Sequence, residues 1–520
     1  MSAWSSNSAA RARLPSEITA WLDAVGAVLR TSDWAAEIVF HEIDCFDALR
    51  NACLIGLLQL LRGDEAAAAE PPLWRRWQNR ARGFAYERKR AWSHCRARRR
   101  FQPSLDRADV LLWPRLPSDL KNFEPIQREL KNRGLQTQWL ASELPVAESL
   151  ASHGQETAFS ATFWSAPMRA ARHQGSAAAR RLSLDSLTSL PPFGDPAVGA
   201  RARSALHRLV SDLLPSAYES IACAAAALER LRPAVLVVAN DLTLDGRVQA
   251  RVARRQGIPT ICPMHGLVAS DSGQGKHVVD RVLLYGEASR RKLLAAGEPE
   301  DRLAVTGAPY LNDRASQSGV TDPRIAQFLQ LQPGQAWVLV ATSGPGHSVS
   351  EAHHRTVIRH LARQSAAWPH VKFAVKLHPK DAFHYYQEIA RELPDARLRV
   401  ARAEDALPSD IMTWLQGPAA LLTGGSTTGM EAILLDVPVI SMDFQKELGQ
   451  IDYVEAGATL TAASELELET ALRQVLEKRD SLADLRIRMK DYLRDTFHHA
   501  QGNSAAIAAG VIASLGGFDE

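Results

Sequence analysis

Leu421-Leu422-Thr423-Gly424-Gly425-Ser426-Thr427-Thr428-Gly429-Met430-Glu431-Ala432-Ile433-Leu434-Leu435-Asp436-Val437-Pro438-Val439-Ile440 decides how this chain is read. An apolar run stops at a turn of small residues, a helical stretch follows, and Pro438 opens a second apolar run. Strand, turn, helix and strand in that order form the unit of a parallel α/β sheet. The turn brings the hydroxyls of Ser426, Thr427 and Thr428 and several backbone N–H groups to a helix N-terminus. Unpaired donors and the helix dipole favour an anion there, and glycine lets the main chain approach a phosphate closely. Taken by itself, the turn also reads as a capped helix after a strand.

The same rhythm extends in both directions. Upstream it predicts strands over Trp337–Thr342, Lys372–Leu377 and Arg397–Val400, separated by helices Glu351–Ala367 and Ala382–Glu392. Downstream come the strand Val437–Met442 and helices from Glu465 onward. An earlier series has strands at Val110–Trp113, Gln136–Leu140, Ala234–Ala239, Thr260–Cys262, Asp280–Tyr285 and Leu303–Thr306. Helices are expected at Ser118–Arg133, Ser216–Leu231 and Gly246–Gln256, whereas 150–205 gives few strand signals. Pro309–Pro323 reads as the linker between the two series. Residues 1–105 look helical, with apolar spacing in Ile18–Leu29 and Ala48–Leu61 and a joint at Glu65–Pro72. The predicted organisation is a helical extension (1–105), a Rossmann-like domain (106–315) and a second Rossmann-like domain (316–520).

At 520 residues the chain exceeds a single hydrophobic core, and 46% hydrophobic with 23% charged residues is ordinary for a globular protein. Between Trp74 and Arg100 eleven Lys/Arg face only Glu87, more than the whole chain's net charge of +3, so the remainder is net acidic. The five cysteines lack metal-ligand spacing and suggest a reducing compartment. The N-terminal stretch has no signal-peptide apolar core, and Ala52–Leu61 is too short to span a bilayer, which predicts a cytoplasmic protein.

Ligands of open α/β sheets bind outside the carboxyl ends of the strands. Three polar clusters fall there. Ser343-Gly344-Pro345-Gly346-His347 follows the first strand of the second series, and Lys376-Leu377-His378-Pro379-Lys380 follows the next. Gly424-Gly425-Ser426-Thr427-Thr428-Gly429 is the third. Fixed N–H groups, hydroxyls and positive charge together are what a diphosphate requires.

The run Lys376-x-His378-Pro379, then Thr423-Gly424-x-Ser426-Thr427-x-Gly429-x-Glu431-Ala432, then Pro438-Val439-Ile440 resembles the C-terminal half of a GT-B glycosyltransferase. It is similar to capsular Kdo transferases and CDP-glycerol glycerophosphotransferases of bacterial surface-polysaccharide synthesis. The first half resembles the same group through Arg232–Asp241, Gly246-Arg247, Gly257–Thr260, His265-Gly266, Asp280–Glu287 and Val305–Tyr310. The resemblance implies a GT-B-like α/β fold, two Rossmann-like domains facing a cleft, with the nucleotide-sugar donor held mainly by the second. It implies donor-phosphate and nucleotide contacts from Ser343, Gly344, Lys376, His378, Pro379, Gly425, Ser426, Thr427 and Thr428, with Glu431 toward the ribose or base. His265 or Asp241 would remove the proton of the acceptor hydroxyl. His265 starts near the right pKa, and Asp241 would act as an ionised carboxylate. Neither a cofactor nor a metal is implied, because the chain has no Asp-x-Asp clamp.

The acceptor implied is a surface glycan or lipid-linked glycan. The Trp74–Arg100 segment interleaves five aromatics with arginines, and reads as a peripheral contact with an anionic membrane, as a nucleic-acid binder or as a packed helix. Membrane contact accords better with the acceptor, and nucleic acid is the weaker reading. Two alternatives stand beside the transferase: a UDP-GlcNAc 2-epimerase-like enzyme and a non-catalytic nucleotide- or glycan-binding subunit.

Overall fold

The strand residues Val110–Trp113 and Val235–Val238 are buried on both faces, which is the condition of a parallel sheet covered by helices on each side. A computed structural model of the chain describes residues 8–61, 100–101, 107–160, 166–264, 266, 276–311, 319–342, 344–345, 349–378, 381–445, 451–497 and 503–518. A short antiparallel hairpin, β1 (Val39–Phe40) and β2 (Ile43–Asp44), joins the first two helices, Ser8–Leu29 and Cys45–Leu61. These helices contain the expected Ile18–Leu29 and Ala48–Leu61. The joint at Glu65–Pro72 and the basic segment up to residue 99 lie outside the described residues.

The first large sheet comprises β3 (Val110–Trp113), β4 (Thr137–Ala141), β5 (Thr157–Phe159), β6 (Val235–Val238), β7 (Thr260–Pro263), β8 (Arg281–Leu284) and β9 (Leu303–Val305). Its order is β5-β4-β3-β6-β7-β8-β9 and every pairing is parallel. The second comprises β10 (Trp337–Ala341), β11 (Lys372–Lys376), β12 (Leu398–Ala401), β13 (Ala420–Thr423), β14 (Val439–Met442) and β15 (Leu460–Ala462). Its order is β12-β11-β10-β13-β14-β15, again parallel throughout. In both sheets the chain reverses its winding direction at one place, between β3 and β6 and between β10 and β13. Such a switch point opens a crevice at the strand carboxyl ends.

The region 150–205 contains β5, the helix Ala166–Arg181 and the start of a helix running Pro196–Leu231. The expected helix Ser216–Leu231 is therefore only the latter part of a 36-residue helix that passes through Pro215. An interior proline costs about 3 kcal/mol. Burying Val210, Leu214 and Ile221 along one face, at about 1.5–3 kcal/mol each, outweighs that cost. Gly175 of the neighbouring helix accommodates the site: a Cβ there would lie 2.8 Å from Pro215 Cα.

The extension packs onto the first sheet's helical layer. Asn51 Nδ2 donates to the Leu242 carbonyl at 2.7 Å, and Asp47 pairs with Arg247 and Arg251 on the helix Leu244–Arg255. The helix Ser504–Leu515, which follows all the strands of the second sheet, returns to the first. Its Ala508, Ala509 and Ile512 share a core with Val110, Phe123, Trp139 and Val235. Among the described residues, no helix is long and apolar enough to cross a membrane.

Candidate functional site

Ser426 ends the turn after β13 with extended backbone and caps the helix Thr427–Leu434, its Oγ accepting from Thr428 N at 3.2 Å. The same hydroxyl donates to Thr428 Oγ1 at 3.1 Å. Gly425 lies in the left-handed region (φ 84°), which the turn demands and a side chain resists. Tyr453, fully buried, donates its hydroxyl to the Ser426 carbonyl at 2.9 Å and so fixes the cap from behind. The first-turn amides and the Thr427 hydroxyl are thus held at the mouth of β13, the side of the switch point where an anion finds fixed donors.

Lys376 is the last residue of β11, in register with Ala341 at the end of β10. It is half-buried; burial lowers its pKa, opposed by the negative charge of Asp410. A partly desolvated ammonium binds an anion more strongly than one in bulk water does. His378 is exposed two residues further on, and its carbonyl accepts from Asp381 N at 2.8 Å. Gly344, after β10, is buried with φ 67°. Ser343 and Pro379 lie outside the described residues. Gly344, Lys376 and Ser426–Thr428 therefore sit at the carboxyl ends of three adjacent strands.

Asp381 had no counterpart in the sequence reading. It accepts from Thr342 Oγ1 at 2.6 Å, Tyr386 OH at 2.7 Å and Ala382 N at 2.8 Å, with His354 Nε2 at 2.9 Å. Burial would raise its pKa, but these hydrogen bonds and the His354 interaction hold it below the usual carboxylate range. Thr342 precedes the glycine loop and Asp381 follows the His378 loop, so one carboxylate ties the two loops together. No motif spacing announces this; an Asp three residues after His378 reads as a cap.

The cleft is crossed at two places. A Cβ on Gly266 would come 3.0 Å from Thr427 Oγ1, so the backbone just beyond β7 closes directly onto the turn at 424–428. Lys121, on the helix Leu120–Asn132 of the first domain, donates to Glu431 Oε1 at 3.0 Å and lies 4.1 Å from the centre of the Tyr310 ring. Glu431 is only 3% exposed and is held in this interdomain pair.

His265 lies outside the described residues, between Met264, whose carbonyl accepts from Asn122 Nδ2, and Gly266. Asp241 is placed differently from an acceptor-side base. It is fully buried, with Oδ1 2.6 Å from His277 Nδ1 and Oδ2 accepting from Val278 N (2.6 Å) and Val279 N (3.2 Å). Burial pushes its pKa up, and His277 with the two amides more than reverses this and keeps it ionised. A carboxylate so occupied anchors the segment 276–279 rather than facing the cleft. Among the described residues, no group of His, Cys, Asp and Glu could hold a metal ion.

No protein-family model matches the chain, and no curated protein matches it by sequence. Its fold is shared by solved structures. A UDP-GlcNAc 2-epimerase from Neisseria meningitidis bound to UDP-GlcNAc is 14% identical, with TM-score 0.50 over 78% of this chain and 99% of that one. The S. aureus MnaA–UDP co-structure is 12% identical, with TM-score 0.52 over 79% and 98%. A further UDP-N-acetylglucosamine 2-epimerase is 14% identical, with TM-score 0.50 over 80% and 98%. At this identity the likeness concerns architecture: the fold is GT-B-like, two Rossmann-like domains facing a cleft with a helical extension.

Proposed function

We propose that this chain is a nucleotide-sugar enzyme of the GT-B fold, and specifically a glycosyltransferase that moves a sugar or glycerol phosphate from a cytidine or uridine nucleotide to a surface or lipid-linked glycan. The observation that carries the reading is the convergence of Lys376, Gly344 and the capped turn Ser426–Thr428 on the switch point of the second sheet. In transfer, the acceptor oxygen bonds to the reacting carbon (or phosphorus, for glycerol phosphate) while the bond to the nucleotide's leaving oxygen breaks. The charge that develops on the departing nucleotide is met by the Lys376 ammonium, His378 and the amides of the turn. His265, adjoining the glycine that faces Thr427, receives the acceptor proton. Nucleotide binding separates Glu431 from Lys121, releasing the carboxylate for the ribose hydroxyls. With basic groups in the place of a metal clamp, transfer is expected to persist in excess EDTA, and loss on chelation with recovery on Mg²⁺ would contradict it.

The epimerase reading has the neighbouring structures in its favour, two of them with UDP or UDP-GlcNAc. Inversion at a sugar carbon needs groups to remove and return a carbon-bound proton. The carboxylates Asp119 and Asp241, near β3 and β6, instead accept from backbone N–H groups. This favours transfer.

A thermal-shift series with CMP, CDP, UDP and GDP tests the shared premise. A ligand at a hundredfold excess over Kd stabilises by about 2.7 kcal/mol, and no shift with any of the four would refute a nucleotide site. Incubation with UDP-GlcNAc in D₂O separates the two reactions. Deuterium at the sugar's C2 would establish epimerisation, whereas a transferase leaves that position protiated.

A further inference from the structure

A second charged cavity lies between the extension and the first domain. It has a volume of about 620 Å³ and is walled by the helices Ser8–Leu29, Cys45–Leu61 and Leu244–Arg255 and by residues 276–278. Seven Arg and Lys side chains line it against two carboxylates, Asp23 and Asp47. Asp47 is shared by Arg247 and Arg251, and Asp23 is taken by Arg50. Asp44 and Asp280, just behind the wall, pair with two more of the arginines. Asp241 and Glu298, which hold the lining residue His277 from behind, bring the carboxylates to six against the seven cations, so one positive charge remains beside the His277 ring.

Two of the arginines are almost completely buried, Arg50 at 7% and Arg247 at 3% exposure. Each keeps a nitrogen without a hydrogen-bond partner, Arg50 Nη1 and Arg247 Nε. Both are paired with a carboxylate and these nitrogens are closed to solvent, so the charge presented to the cavity comes from Arg302 and Lys276 with the partly exposed Arg30, Arg251 and Arg254 beside them. Lys276 is exposed at the rim, with no carboxylate partner among the described residues.

We infer that this cavity is a binding site for a small phosphorylated molecule, separate from the nucleotide turn of the second domain. Guanidinium groups bind phosphate oxygens in a bidentate fashion, and several of them together with an ammonium match a diphosphate or a phosphate monoester. The site rests on residues of the first domain and the extension alone, so it stands whether or not the second domain binds a nucleotide.

Inorganic pyrophosphate is the probe, with inorganic phosphate as a second arm and sulfate at matched ionic strength as the control. Titration into the full chain is followed by calorimetry and by thermal midpoint. Pyrophosphate is expected to bind Lys376→Ala as well as the wild type, where the donor site can add a second, Lys376-dependent event, more tightly than phosphate and with sulfate giving little shift. The double variant Arg30→Gln/Lys276→Gln should weaken binding about tenfold or more, equivalent to at least ~1.4 kcal/mol. Both side chains are exposed, so the midpoint without ligand should stay where it is, a result that a purely structural role would not give. Lys276→Glu provides the same reading should the double variant fold poorly. The inference is overturned by no binding at pyrophosphate up to about 10 mM, which reads any Kd tighter than about 1 mM. It is equally overturned by binding that Lys376→Ala abolishes, that the cavity variants leave unchanged, or that sulfate reproduces.

Discussion

Replacing Gly429 by alanine should damage the turn at 424–428 through packing against Tyr453. Gly429 sits in the first turn of the helix Thr427–Leu434, where alanine is intrinsically better by about 1 kcal/mol. A Cβ there would meet Tyr453 Cζ at 2.6 Å, its hydroxyl at 2.7 Å and Cε1 at 2.9 Å. The ring is rigid and fully buried, and must withdraw by several tenths of an ångström. Overpacking of this kind costs about 1–3 kcal/mol. The same withdrawal breaks the bond from Tyr453 OH to the Ser426 carbonyl, worth about 1 kcal/mol. The net expectation is a loss of about 1–3 kcal/mol together with weaker nucleotide-induced stabilisation. A double-mutant cycle gives the decisive comparison. In a Tyr453→Leu background the clash is absent and Gly429→Ala should be neutral or stabilising, a coupling of about 2–3 kcal/mol. Thermal and urea midpoints of the four proteins read it. A Gly429→Ala protein as stable as the wild type or more stable would refute the reasoning, because the contact with Tyr453 would then cost no more than the helix-propensity gain of about 1 kcal/mol.

Lys376→Ala and His378→Ala should each lower turnover about 10²–10³-fold while leaving the thermal midpoint nearly unchanged; rates within twofold of wild type in both would move the donor site elsewhere. His265→Ala should lose kcat with donor affinity retained, and its pH–rate profile should lack the ionisation near a histidine's ordinary value of about 6.5; steady-state kinetics across pH decides this. Asp241→Asn should cost about 3–5 kcal/mol of stability, because it leaves His277 and two amides facing a neutral partner. The wild type's pH dependence carries the same pair. Burial lowers the His277 pKa, but Asp241 raises it overall, so that stabilisation is present below about pH 6.5 and is lost as pH rises through the raised value. The lowered pKa of Asp241 contributes above about pH 3.9 and is lost as pH falls through its folded value. Midpoints measured from pH 3 to 9 should show both flanks in the wild type, whereas in Asp241→Asn the alkaline flank should disappear and the acid flank shrink to the share of other low-pKa carboxylates such as Asp47, Asp280 and Asp381.

Most strands of the two sheets were legible because each is a short apolar run bounded by turn residues, and observed boundaries such as Val235–Val238 against Ala234–Ala239 differ by one residue at each end; the three-residue edge strands Thr157–Phe159 and Leu460–Ala462 were too short to show a pattern. The helix through Pro215 was not legible, since local rules stop a helix at proline, and it is packing on the helices Ala166–Arg181, Cys45–Leu61 and Leu244–Arg255 that sustains it. At the site, the turn at 424–429 could be read because glycines, hydroxyls and a following helix are contiguous. Asp381, Lys121 and Tyr453 could not, because each acts on a partner distant in the sequence and has no local pattern. Asp241 shows the converse: a polar residue after a strand looks catalytic until its partners at 277–279 are seen to enclose it.

The return of the helix Ser504–Leu515 to the first sheet has a consequence for how the protein is made. The strands of that sheet leave the ribosome by residue 305, yet one face of their core still lacks Ala508, Ala509 and Ile512. At roughly 5–20 residues per second, some tens of seconds of synthesis separate the last strand from the helix that covers it. The domain begun first is thus the one finished last. Until then Val110, Trp139 and Val235 present an uncovered apolar surface to the crowded environment of the nascent chain.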